Sequence, residues 1–294
     1  MASPLYASSV VGAAALMHSG SEDQKQALLP KIADGGRLVV LALEEGPRHN
    51  PSQIKCRAKL TSSGVTLSGT KQFVMEGNAA TDFVVAANVD HGAGEQGVGL
   101  FLVACDTPGV RRHAVKTMDS RGYASVTFDD VALDLEAMLA GPDTGQAVLE
   151  AVLDVATAAL AAEMLGTAAA AFDMTLDYLK TRKQFGQVIG GFQALGHRAA
   201  GLYSEMELTR SCVEAALAAL DNDSQDAQEL VALAKCKASE FLHEMSSQLI
   251  QIHGGIGMTD EFDAGFYLKR ARVLENALGN AAYHRDRYAK LLNF

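Results

Sequence analysis

Two short stretches hold the residue types best suited to gripping an anion. In YLKTRKQFG (178–186), Arg182, Gln184 and Phe185 follow a long apolar run. Arginine offers a planar, two-pronged donor to phosphate or carboxylate, and Gln184 adds a neutral donor beside it. Phe185-Gly186 can turn the backbone sharply toward a ligand. The same cations also suit the last turn of a helix, where they oppose its dipole. In QIHGGIG (251–257), Gln251 precedes Gly254 and Gly255. Adjacent glycines let backbone N–H groups approach an anion closely, or simply end a helix and turn the chain. They follow a helical pattern rather than a strand, so they are not a dinucleotide-fold fingerprint.

Other chemistries find little support. His243 and His253 are ten residues apart, His197 has no partner within two turns, and no HExxH occurs, so no metal site is expected. Ser9, Ser62 and Ser246 lack a nucleophile elbow. Cys56, Cys105, Cys212 and Cys236 are scattered, as reduced structural thiols are. The chain has 35 acidic and 25 basic residues, a net charge of -10, which disfavours nucleic acid and anionic membrane as main partners. There is no signal-peptide pattern and no membrane-spanning run of about 20 apolar residues, and a cytoplasmic location is expected.

The elements that must position these residues fall into three blocks. Residues 4–34 read as two short helices, the second opened by a Ser21/Gln24 capping box and closed at Asp34-Gly35-Gly36. Over 37–132, β-branched and aromatic runs such as RLVVLALEE, TDFVVAANVD and VGLFLVACD are divided by turns at Ser62-Ser63-Gly64 and Asp90–Gly94. They predict a small antiparallel barrel or sandwich; with no long helices between strands, a buried parallel sheet is disfavoured. From Gly145 the pattern turns helical: 145–181, 190–221, 223–252 and a fourth helix after the glycine turn. These helices are apolar nearly all round, which implies burial in a bundle and in an oligomer. The domains expected are thus 1–36, 37–132 and 133–294, an α+β chain.

Arg182-Lys-Gln-Phe-Gly186 with Gln193, followed by Gln251-Ile-His-Gly-Gly-Ile-Gly257, resembles the acyl-CoA dehydrogenase family. The resemblance covers essentially the whole chain, with truncated N-terminal helices, a middle antiparallel β-domain and a C-terminal four-helix bundle. It implies FAD held between subunits: Arg182, Gln184, Phe185, Gln193, Gln251, Gly254 and Gly255 on its pyrophosphate and adenosine, Phe73 and Met75 toward its ring. It also implies an acyl-CoA substrate and an electron-transferring flavoprotein as acceptor.

The departures from the family pattern concern the reacting end. Glu44 stands where a small hydroxyl normally serves the flavin, a poor neighbour for a ring gaining negative charge unless that carboxylate is protonated or paired. Phe73-Val74-Met75 replaces Trp-Ile-Thr and loses a hydroxyl. The usual catalytic glutamate aligns with Leu278, which cannot accept a proton. The other location used in the family aligns with Ala156, followed by Thr157 in place of arginine. Asp154 and Glu163 are poorly placed to substitute. Glu275, three before Leu278 and on its face if the segment is helical, is the candidate displaced base, with a salt bridge as its ordinary role. Retained clamp and lost base resemble the heteromeric bacterial members of steroid side-chain type. That resemblance implies an α2β2 assembly in which a homologous partner supplies the base. The competing readings are a self-sufficient enzyme using Glu275 and a non-catalytic interaction protein.

Overall fold

The computed structural model describes residues 5–90 and 96–294. The expected Asp90–Gly94 turn lies, from His91 onward, outside the described residues. The chain divides into two compact units, Met1–Ala156 and Thr157–Phe294.

In the first unit, a π-helical turn at Leu5–Gly12 leads into α1 (Ala13–Ser19) and α2 (Glu22–Ala33). The α2 capping box is present: Gln24 N donates to Ser21 Oγ at 3.2 Å and Ser21 N to Gln24 Oε1 at 2.8 Å, satisfying two N–H groups that a helix start leaves open. Strands follow at β1 (Val39–Ala42), β2 (Arg57–Thr61), β3 (Gly64–Val74), β4 (Asp82–Asp90), β5 (Gln96–Ala104), β6 (Val110–Val115), β7 (Tyr123–Leu133) and β8 (Met138–Ala140). All eight join one sheet, ordered β6-β7-β3-β2-β4-β5-β8 with β1 also on β4.

The sheet is mixed, which corrects the purely antiparallel expectation. Both β1 and β2 pair parallel to β4, at Val39↔Asp82 and Arg57↔Asn88, sharing one of its edges. A parallel pair needs a crossover but not a helical one, and here the β2–β3 hairpin provides the chain between β1 and β4. With neighbours on both edges, β4 is buried from Phe83 through Ala87, as its near-continuous apolar run dictates. Phe83 meets Phe128 edge-on at 6.2 Å, and Phe101, Leu67 and Val126 complete the core. Burying each such ring contributes about 2–3 kcal/mol.

A single helix, α3 (Gly145–Thr181), runs across the division of the chain. The second unit then forms a two-stranded hairpin, β9 (Lys183–Gln184) with β10 (Gln187–Val188), followed by α4 (Gln193–Asp221), α5 (Ala227–His253), α6 (Ala264–Leu274) and α7 (Ala281–Leu291). Helix α5 is central, packing against α4, α6 and α7. The expected fourth helix is two helices. Between them Leu278 takes φ 52° and Gly279 φ 94°, conformations that end a right-handed helix. A Cβ at Gly279 would lie 2.4 Å from the Tyr283 ring, so the turn requires glycine. The fully buried Lys235 ties the turn down, donating to the carbonyls of Gly279 (2.9 Å) and Leu274 (3.4 Å) and to Ser239 Oγ (3.2 Å).

Candidate cofactor clamp

The two sequence motifs converge within the second unit. Arg182 lies just beyond α3, one turn after Tyr178, and the Tyr178 hydroxyl donates to the carbonyl of His253 at 3.3 Å. The Tyr178 and His253 rings stack at 4.2 Å, and His253 meets Phe262 at 4.4 Å on a tilted contact. Since Gly254 follows His253 directly, the end of α3 and the glycine turn after α5 are held side by side. The hairpin returns from Arg182 to the start of α4, where Phe185 touches Phe192, the residue preceding Gln193. Ile189 N donates to the Arg182 carbonyl at 2.9 Å, and Gly190 is required because a Cβ there would stand 2.7 Å from the Leu179 carbonyl oxygen. Arg198 of α4 reaches Gln248 of α5 at 2.7 Å, one turn before Gln251.

This end of the unit is open. Arg182, Gln184, Gln193, Gln251, Gly254 and Gly255 are all exposed, and Phe185, at φ 53°, is 90% exposed. No ion pair engages Arg182 among the described residues. A Cβ added at Gly254 or Gly255 would meet nothing within 4 Å, so that side of the backbone is open. A guanidinium, three amides and bare glycine backbone are groups suited to cradling a diphosphate, with Phe185 and Met258 as exposed apolar side chains beside them.

Buried beneath the cradle, the His253 ring donates from Nδ1 to the Leu249 carbonyl at 2.7 Å, while its Nε2 has no partner among the described residues. Burial pushes its pKa below the ordinary value, keeping the ring neutral.

The first-unit residues expected near a flavin ring are arranged differently. Glu44 is paired, its Oε1 at 2.5 Å from His49 Nδ1 in the same loop. Glu45, which the sequence did not single out, accepts from the fully buried Lys71 Nζ at 2.6 Å and from the N–H groups of Lys55 and Cys56. Burial pushes the neighbouring Cys56 thiol up to about 11, making it inert. Phe73 is 46% exposed at φ 50°, but Met75 packs against the sheet core. Neither position 44 nor 75 presents a hydroxyl.

The candidate bases are similarly occupied. Leu278 has no ionisable group; Ala156 and Thr157 are buried in α3, as is Asp154. Glu163 is bound by Arg270 at 2.5 Å. Glu275 caps α6 and pairs with Arg272 at 3.0 Å and His243 at 2.9 Å. Because the chain turns at 275–278 instead of continuing as a helix, Glu275 does not share a helical face with Leu278. Among the described residues, no His, Cys, Asp and Glu side chains group as a metal site, and no helix is long and apolar enough to cross a membrane.

Residues 143–292 match the family described as acyl-CoA dehydrogenase, C-terminal domain, and the chain belongs to the acyl-CoA dehydrogenase family. A mitochondrial 2-methylacyl-CoA dehydrogenase of Solanum tuberosum is 30% identical over 279 residues, which is 92% of this chain and 66% of that protein. Butyryl-CoA dehydrogenase from Megasphaera elsdenii superposes with a TM-score of 0.92 at 26% identity, covering 99% of this chain and 77% of that one. The ChsE4–ChsE5 complex from Mycobacterium tuberculosis gives 0.89 at 28% identity, covering 99% and 76%. The family's members are FAD-dependent flavoproteins. The open cradle of the second unit fits the anionic half of FAD; positions 44 and 75 of the first unit lack the hydroxyl donors that its ring would take.

Proposed function

We propose that this chain is a subunit of an FAD-dependent acyl-CoA dehydrogenase that introduces an α,β double bond into an acyl-CoA thioester. Its own contribution is the Arg182/Gln251 clamp, and a homologous subunit in an α2β2 assembly supplies ring-facing donors and the base. The observation that carries this reading is the joining of two candidate anion-binding motifs at one open end of the second unit, while Leu278 and Ala156 leave both base positions empty of carboxylate.

Bound FAD supplies the hydride acceptor. In this chain Arg182 neutralises a diphosphate charge, Gln184, Gln193 and Gln251 orient it, and the glycine turn lets it approach the backbone. Leu278, in the left-handed turn that Lys235 ties down, has no group that can take a proton. Proton abstraction therefore belongs to the partner. The neighbouring ChsE4–ChsE5 complex supports a hetero-assembly, and the resemblance to steroid side-chain enzymes supports a bulky acyl group as substrate. An electron-transferring flavoprotein is the acceptor this chemistry calls for.

The test is dehydrogenation of acyl-CoA thioesters with an artificial electron acceptor, using the full chain alone and co-purified with a homologous subunit that has an intact base. Activity is expected only with the partner. Turnover by the chain alone, abolished in Glu275→Gln, would establish the displaced-base reading instead.

A further inference from the structure

The Tyr178–His253–Phe262 stack links two segments distant in sequence. Its geometry is over-determined for simple core filling. One ring contact would pack α3 on α5; here His253 is held by rings from two sides, its backbone carbonyl accepts the Tyr178 hydroxyl, and its Nδ1 is spent on Leu249. These contacts converge on the residue immediately before the glycine turn, and on the helix turn immediately before Arg182.

We infer that Tyr178, His253 and Phe262 are the positioning residues of the clamp, fixing Arg182 against Gly254-Gly255 and releasing that arrangement when His253 takes up a proton. The inference rests on the clamp reading above. A second proton at Nε2 would be a buried donor with no acceptor among the described residues, in a site where burial already disfavours the cation. The surroundings offer nothing to offset it. From α3 the stack receives only the Tyr178 hydroxyl, with Asp177 and Lys180 exposed on either side. Residues 249–252 of α5 and 254–258 of the glycine turn contain no ionisable side chain, and Glu261 and Asp263, flanking Phe262, are exposed.

The sign follows from the direction of the shift. The folded chain's His253 pKa lies below the 6.5 of an ordinary histidine. As pH falls below that value, the unfolded chain takes up the proton first, and the stack weakens.

The experiment uses the full chain and hydrogen–deuterium exchange of segments 182–191 and 254–258, corrected for intrinsic pH dependence, at about pH 7.5 and about pH 5.5. Both segments are expected to lose protection together at the lower pH, while the middle of α4 stays protected. His253→Phe keeps a ring in the stack but cannot take a proton, and its two segments should show no such loss. Tyr178→Phe removes only the hydroxyl and should raise exchange at 254–258 at either pH; Phe262→Leu should do so more strongly. In the assembly with the homologous partner, FAD affinity of Tyr178→Phe should fall about three- to tenfold with little change in melting temperature.

Segments that exchange independently of each other, or a His253→Phe chain that responds to pH as the wild type does, would overturn the inference. Wild-type FAD affinity in all three variants would overturn it too, leaving the clamp reading intact. The expected exchange pattern without any FAD binding by the assembly with the homologous partner would instead remove the cofactor assignment and leave the positioning role standing.

Discussion

The loop and strand between Glu44 and Met75 and the paired ends of α3 and α5 are both places where the sequence suggests cofactor contact, yet they treat their polar groups in opposite ways. In the first, the acidic side chains are answered inside the unit: Glu44 by His49 and Glu45 by Lys71. In the second, Arg182 has no ion pair among the described residues, and two glycines expose open backbone. Polar groups already satisfied within a fold contribute to that fold and have little left to give a ligand. Groups left open at a surface, on rigid helix ends, are free to exchange water for an anion. On the proposed reading, the contrast separates a scaffold region from a binding element. Substitutions in the two should therefore separate loss of stability from loss of FAD.

The largest effect is expected at Lys71. Lys71→Met leaves the largely buried Glu45 carboxylate without its cation and should cost about 3–5 kcal/mol in denaturant unfolding. Replacing both partners together, Lys71→Met with Glu45→Leu, should recover much of that loss, because an apolar pair needs no desolvation. Arg182→Ala is the mirror case. It should weaken FAD binding about tenfold or more, the loss of a charged hydrogen-bond donor, while unfolding stability changes by no more than about 0.5 kcal/mol. If Arg182→Ala were the destabilising change and Lys71→Met cost only FAD, the comparison would be reversed.

Lys235 sharpens the contrast inside the second unit, since it is a buried cation away from the open end. Burial pulls its pKa from 10.5 down to about 7. Between those values the unfolded chain holds a proton that the folded chain has lost, so stability contributed by this site rises as pH increases from about 7 toward 10. Chemical denaturation across that range should show the rise in the wild type and its absence in Lys235→Met. The smallest effect belongs to Glu275. Its pair with Arg272 and the half-exposed His243 is worth about 0–1 kcal/mol, and Glu275→Gln should leave the turnover of the assembled enzyme unchanged.

Legibility followed the strength of local patterning. The helix predicted over 145–181 forms over those residues, and the Ser21/Gln24 box forms as its spacing requires, because both are set by near neighbours in sequence. Strand β6, VRRHAV, gave no alternating signal because it is exposed along most of its length at the sheet edge. Three-residue β8 was too short to register, and parallel pairing around β4 depends on a hairpin crossover that no local pattern records. At the site, the motifs identified Arg182 and Gly254 separately, but the Tyr178–His253 contact joining them spans 75 residues. Lys235 did leave a trace: it lies on the same buried stripe as Val231, Ala238 and Leu242, where a lysine requires internal partners. The Lys71–Glu45 pair left a weaker one, a lysine within a strand of otherwise uncharged residues.

On the proposed reading, this chain holds FAD by its clamp and needs another subunit to complete the site. The ratio of FAD to protein, measured for the full chain purified alone and then with its homologous partner, tests it most directly. No flavin is expected on the chain alone, and about one FAD per unlike pair, lost in Arg182→Ala. One FAD per chain in the absence of any partner, unaffected by Arg182→Ala, would contradict it.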